Sequence, residues 1–411
     1  MKRECVDVLK EIAIKTIKQC TFSKKVNYLN SEGNMDILLP SGDEKYFSFW
    51  IRDCAMMAES KLIPDRLLKN YIQIIATHGQ NGKEKIYLEN ELSIPPYAIA
   101  DHINYDGNAV YFPGTYSSGN NQGIGDFGFY PPFCDNYFFI MMVGAYIEQS
   151  GDLEILNEKC NEYSIKESVE FAFSGYNIDE ASELCVSDSD KYTVDWGFVD
   201  SIKKTGKLLM ASLLRYNAAK ALQMIFKENA EKYLFYSSKA EKIKKNIVSE
   251  FYDDNTGWLF SATGIGKQYD VWATAYAVFS GVINEKKTLK ALYDAYVYKT
   301  AVVDGYVRHI LTTDDFSNDT AWQCSRFEYN TYQNGAYWAT PTGWYAYALY
   351  CYNKQTDILD DFIDHTEKYL NDGSPFEWIN ATTTDYSGLN YGTSGVLPYI
   401  GAVKIIKDFN L

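Results

Sequence analysis

The sequence predicts an all-α protein, an (α/α)6 toroid barrel of six helical hairpins formed by residues 1–411 as a single domain. Three observations predict it. Helical periodicity, caps and breakers divide the chain into twelve segments. Short connections alternate with long ones along the chain. Helices that are apolar all round alternate with amphipathic ones, which describes an inner ring of buried helices, each joined by a tight turn to an exposed outer partner.

In order, the segments are residues 1–20, 48–61, 65–78, 132–149, 152–173, 205–225, 227–250, 268–280, 284–297, 334–352, 355–370 and 389–406. Even-numbered segments are followed by only a few residues, such as Ile63-Pro64, Gly151 or Lys354. Odd-numbered segments are followed by the long loops 21–47, 79–131, 174–204, 251–267, 298–333 and 371–388, so all the long loops fall at one end, where function is expected. The fourth segment, with Tyr137, Phe138, Phe139, Ile140, Met141, Met142 and Val143, and the eighth, with Val271, Trp272, Ala273, Tyr276, Val278 and Phe279, have no polar face and must be buried on every side. The seventh sets Lys227, Glu228, Glu231, Lys232, Lys239, Glu241 and Lys242 against Leu234, Phe235, Ile243 and Ile247, as a surface helix does. Pro398 inside the twelfth predicts a kink or a restart. No constant period supports a solenoid of stacked repeats.

Composition narrows the function. With 46% hydrophobic and 23% charged residues the chain is globular, and a formal charge of −15 excludes a nucleic-acid surface, which needs a basic patch. No stretch approaches the ~18 apolar residues of a membrane span and none resembles a leader, so a cytoplasmic protein is expected. The eight cysteines form no CxxC pair and lie mostly in apolar helical patterns, which predicts reduced core thiols. No cluster at ligand spacing implies a metal, and no glycine pattern implies a nucleotide cofactor.

Aromatic residues make up 16% of the chain, and all eight tryptophans, at 50, 196, 258, 272, 322, 338, 344 and 378, fall in long loops or in the first turns of inner helices. Indole faces stack on the C–H face of a sugar ring, so a ring of tryptophans around a cavity suits an oligosaccharide or glycoside. The loop 79–131 is long and rich in Gly, Asn, Ser and Tyr, and Asp101 or Asp126 within it are candidate ligand contacts. Acids stand beside tryptophan in Phe49-Trp50-Ile51-Arg52-Asp53, in Asp195-Trp196-Gly197-Phe198-Val199-Asp200 and in Pro375-Phe376-Glu377-Trp378. Cleavage of a glycosidic bond needs two such carboxyls, one protonated and one ionised. An Arg52–Asp53 pairing would keep Asp53 charged and make it a binder of sugar hydroxyls rather than a proton donor.

At these residues the chain resembles the six-hairpin glycosidases, the (α/α)6-barrel superfamily that includes glucoamylases, trehalases and the glucosidase and mannosylglycerate-hydrolase group. Trp50-Ile51-Arg52-Asp53 is similar to the Trp-x-Arg-Asp element on which these enzymes bind the non-reducing sugar. Asp195-Trp196-Gly197 resembles the loop carrying the general acid. Gln268-Tyr269-Asp270-Val271-Trp272 and Tyr332-Gln333-Asn334-Gly335-Ala336-Tyr337-Trp338 resemble the starts of the fourth and fifth inner helices, and Pro375-Phe376-Glu377-Trp378 the general-base segment. The Glu-Ser-Gly run that precedes the acid in trehalase-like members is absent, which leaves Asp200, Asp126 and Glu328 as competitors for the acid.

The resemblance implies a hydrolase of a terminal, α-linked glucoside or mannoside, acting with inversion, with Asp195 as acid and Glu377 as base. It implies substrate contacts from Trp50, Arg52, Asp53, Asp126, Trp196, Gln333, Trp338 and Trp378. Other readings stay open. A phosphorylase would need a basic cluster beyond Arg308, His309 and Arg326. An epimerase would draw on His102 or His309, and a non-catalytic sugar-binding protein would keep the tryptophans without the paired carboxyls.

Overall fold

The computed structural model describes residues 3–29, 33–123, 128–193, 202–314, 327–369 and 375–411. Among them are the helices α1 (Arg3–Cys20), α2 (Ile51–Ala58), α3 (Asp65–Ile74), α4 (Phe133–Ser150), α5 (Ile165–Ser174), α6 (Leu209–Ile225), α7 (Ala230–Phe251), α8 (Val271–Phe279), α9 (Lys286–Val297), α10 (Thr342–Asn353), α11 (Asp357–Tyr369) and α12 (Gly392–Phe409). Each expected segment holds one of them. The alternation in character holds as well: every residue of α2 and of α8 is buried, whereas α3, α9 and α11 bury one stripe and expose the other.

The chain divides into two compact units. One comprises 22–39 and 47–247, and the other 1–21, 40–46 and 248–411. In the first, α2, α4 and α6 pack in series, with α3 and α5 also on α4. In the second, α8, α10 and α12 pack in series, α9 and α11 lie on α10, and α1 lies on α12. Glycine sets how closely α12 approaches its neighbours. A Cβ at Gly401 or at Gly343 would fall inside the backbone of the facing helix, and one at Gly395 would overlap the Thr16 side chain of α1.

Three expectations are corrected. Segment 152–173 is helical only from Ile165. A 3-10 turn at Glu154–Asn157 and a hairpin pairing Lys159–Cys160 with Tyr163–Ser164 precede it, and Ser164 with Glu167 forms a capping box that starts the helix there. Pro398 does not restart α12, which runs through it with Pro398 buried. The segment expected from 334 becomes helical only at Thr342, because Pro341 at its N-cap disfavours helix at the residue before. The preceding Tyr337–Trp338 is a strand instead.

The long loops also carry short antiparallel sheets, too brief for periodicity to reveal. Phe49–Trp50, His102–Ile103 and Ala109–Val110 form one of three strands. Val302–Val303, Tyr306–Arg308, Tyr337–Trp338, Phe376–Ile379 and Tyr386–Asn390 form one of five, in that order. Seven cysteines are free among the described residues, six of them buried. No helix among the described residues is long and apolar enough to cross a membrane.

Candidate active site

In the first unit, polar groups converge where the three-stranded sheet meets α2 and α4. Strand pairing sets Trp50 opposite His102, and their rings stack at 4.3 Å and 24°. Arg52, in the first turn of α2, is buried and donates from Nη2 to Asp101 Oδ1. Its Nε lies 4.0 Å from Asp135 Oδ1, in the first turn of α4. Asp101 Oδ2 lies 2.8 Å from His102 Nδ1. Burial alone would raise the Asp101 carboxyl, but the Arg52 guanidinium and the His102 contact outweigh it and hold it below the ordinary value, hence ionised. Among the described residues, the carboxylates paired with Arg52 are thus those of Asp101 and Asp135, where the sequence suggested Asp53. Asp53 is itself buried in the first turn of α2. Trp50 is half-buried, and Tyr116 stands edge-on to its ring at 6.2 Å.

In the second unit, Glu377 sits on the fourth strand of the five-stranded sheet, only 2% exposed. Phe376 pairs with Asn390 and Trp378 with Ser387, so Gly388 and Leu389 together face Glu377 across a bulge. Gly388 has φ +81°, and a Cβ there would come within 2.5 Å of both Glu377 Cβ and Oε2. Only glycine leaves the carboxylate room. Tyr46 donates to Glu377 Oε1 at 2.8 Å and meets the Tyr332 hydroxyl at 3.1 Å. Burial first, then the charge of Glu377 and the neighbouring phenols, push the Tyr46 hydroxyl well above its ordinary value, so it stays a donor.

Aromatic rings surround this carboxylate. Tyr332 lies 5.4 Å from Trp338 and 6.3 Å from Trp378, and Tyr46 is edge-on to Tyr391 at 6.1 Å. Trp378, Tyr46 and Tyr332 are half-buried. Trp338 is fully buried, donates to the Tyr332 carbonyl at 3.1 Å and packs on Trp272, whose ring stacks on His309 at 3.4 Å. Gln333 is buried in the turn between Thr331 and Asn334. Arg308 is buried, donating to Gly335 O at 2.6 Å and to Asn330 Oδ1 at 2.5 Å. Asp314 nearby has a buried Oδ2 without a hydrogen-bond partner among the described residues, and burial, only partly offset by Arg308, pushes its carboxyl up to about 6.

Asp195, Trp196, Asp126 and the competitor Asp200 lie outside the described residues. Glu328, another competitor, is exposed on a turn that it closes with its backbone carbonyl to Thr331. Sequence reasoning missed Tyr46, Tyr332 and Asp314 as site residues. No local pattern marks them: Tyr46, for one, meets Glu377 across 331 positions of sequence. The cleft of about 700 Å³ among α5, α6 and α7 is lined by none of these groups. Within it Glu183 holds Arg215 at 2.9 Å and Lys239 at 2.5 Å.

The family described as amylo-alpha-1,6-glucosidase matches residues 123–383, more than half of the chain. No curated protein matches the sequence. Among solved structures, a rhamnosidase from Klebsiella oxytoca with rhamnose bound is similar at 12% identity and TM-score 0.59, over 99% of this chain and 64% of that one. This chain thus spans less than two thirds of that rhamnosidase. A wild-type glycosidase is similar at 13% identity and TM-score 0.56, over 99% of this chain and 98% of that one. Glucoamylase from Saccharomycopsis fibuligera is similar at 14% identity and TM-score 0.60, over 97% and 94%. At such identities the likeness shows the fold, the (α/α)6 class that the alternating helices predict. The chain belongs to the amylo-alpha-1,6-glucosidase family.

Proposed function

We propose that the protein hydrolyses a terminal, α-linked glucoside or mannoside of a short oligosaccharide or glycoside, with inversion at the anomeric carbon. The observation that carries this reading is Glu377: a buried carboxylate, given room by Gly388, held by the Tyr46 hydroxyl and ringed by aromatic faces. A carboxylate that accepts a hydrogen bond at one oxygen is suited to activate water with the other. Asp195 is the acid in this reading, assigned from its sequence resemblance alone. Trp50, Arg52 and Asp53 bind the terminal sugar; the Asp101 brace keeps Arg52 in place. Asp126, Trp196, Gln333 and Trp378 contribute further contacts, while the full burial of Trp338 suits it to supporting Tyr332.

The family match runs across both units, which supports one catalytic domain. Free thiols suit a reducing compartment, and we place the protein in the cytoplasm.

The test is product stereochemistry. Proton NMR during cleavage of an α-glucoside or α-mannoside panel should show the β-anomer first, and first appearance of the α-anomer would overturn inversion. Glu377→Gln and Asp195→Asn should each lower kcat at least about a thousandfold while sugar binding persists. Full activity in either variant would remove that residue from the mechanism.

A further inference from the structure

Phe47 exposes 52% of its surface, although its side chain has no polar atom to draw it to water. Exposed apolar side chains are ordinary one at a time, but this one is built into a stack. Its ring lies on that of Tyr116 at 4.5 Å and 20°. No other ring and no cation packs on it among the described residues, so its outer face is left to solvent. One residue ties the two segments together. Asn104 accepts from Ser48 Oγ and donates from Nδ2 to the Tyr116 carbonyl, both at 2.8 Å. Ser48 is buried and follows Phe47 in the chain, so the same bond fixes the backbone that carries Phe47. Tyr116 is also edge-on to Trp50 at 6.2 Å, which gives the exposed ring and the candidate sugar platform one common support. A rigid aromatic face is well suited to a flat ring, because it offers apolar area without side-chain ordering on binding.

We propose that Phe47 is a specificity-determining residue whose outer face carries the ring on the leaving-group side of the substrate, a second sugar or an aromatic aglycone. This rests on the reading that Trp50 carries the terminal sugar. Phe47 supplies area and no hydrogen bond, so it selects for the presence of a flat ring and not for the positions of its hydroxyls. A leaving group without a ring leaves it uncovered.

The experiment is steady-state kinetics on the full-length protein and its Phe47→Ala, Phe47→Tyr and Trp50→Ala variants, with thermal melts to confirm folding. The substrates are α-glucosyl and α-mannosyl fluoride, which have no ring on the leaving side, the corresponding α-linked disaccharides, and the p-nitrophenyl α-glycosides. Phe47→Ala should lower the ratio of kcat/KM for ringed substrates over the fluoride about threefold to tenfold, mainly through KM. Phe47→Tyr, which keeps the ring, should recover most of that ratio. A loss confined to the disaccharides assigns the face to a second sugar, and one confined to the p-nitrophenyl glycosides assigns it to an aromatic aglycone; either supports the proposal. If Phe47→Ala does not fold, Phe47→Leu, which keeps apolar bulk without a flat face, takes its place. Equal loss on the fluoride and on every ringed substrate would mark a structural role and overturn the proposal. If Trp50→Ala loses the fluoride while Phe47→Ala keeps the native ratio, the proposal fails and the terminal-sugar reading stands. If Trp50→Ala also hydrolyses the fluoride like the native protein, both fail.

Discussion

Tyr46 and Glu377 meet through one hydrogen bond, and Tyr46→Phe removes it while keeping the ring beside Tyr391. A hydrogen bond to a charged group contributes about 1.5–3 kcal/mol. The variant should therefore lose about tenfold to a hundredfold in kcat with a smaller change in KM, read by steady-state kinetics on any cleaved glycoside. Gly388→Ala acts on the same carboxylate from the opposite strand. Its Cβ would collide with Glu377, and its φ of +81° disfavours a side chain. It should cost about 1–3 kcal/mol in a denaturant melt and most of the activity. Asp314 gives a pH signature instead. Its carboxyl is raised from 3.8 to about 6, so between those values the folded state keeps a proton that the unfolded chain has released. Stability contributed by this group is lost as pH rises through that window and stays lost above it. Asp314→Asn should melt higher than the native protein at pH 7, with the gain shrinking as pH falls towards 4.

At the scale of elements, the helices were legible and the strands were not. Apolar residues on every face of the fourth and eighth segments required full burial, and the eighth, α8, is buried at every residue. Segment 152–173 misled because apolar residues of a 3-10 turn and a two-residue hairpin continue the spacing of α5. In the sheet carrying Glu377, three of the five strands are only two or three residues long, below the length at which alternation shows. Site residues followed the same division. Trp50, Arg52 and Glu377 could be read from local motifs, whereas the pairing of Arg52 with Asp101 across 49 positions depends on how the strands align. Helix contacts offer a sharper prediction. Gly401→Ala would drive a methyl group into the backbone of α10 at Gly343, where no side chain can yield. It should destabilise by about 3 kcal/mol or more, measured by chemical denaturation, while Gly151→Ala, with open space around it, should report only the strain of its left-handed φ of +73°.

At the scale of the whole molecule, the unit that carries Glu377 is assembled from stretches that are distant in sequence. Its first stretch is α1, whose Leu9, Ala13 and Thr16 are fully buried, packed on α12. Deleting residues 3–20 would uncover the apolar face of α12. The truncated chain should lose its cooperative melt and its activity together, as circular dichroism and limited proteolysis would show. That packing also has a consequence for the timing of synthesis. Each of the two partners is 18 residues long, one spanning Arg3–Cys20 and the other Gly392–Phe409. At roughly 5–20 residues per second, a ribosome needs about twenty seconds to over a minute to deliver the second after the first. Through that interval α1 has a greasy stripe without the partner it will lie on, so a newborn chain is most in need of a chaperone before α12 has emerged.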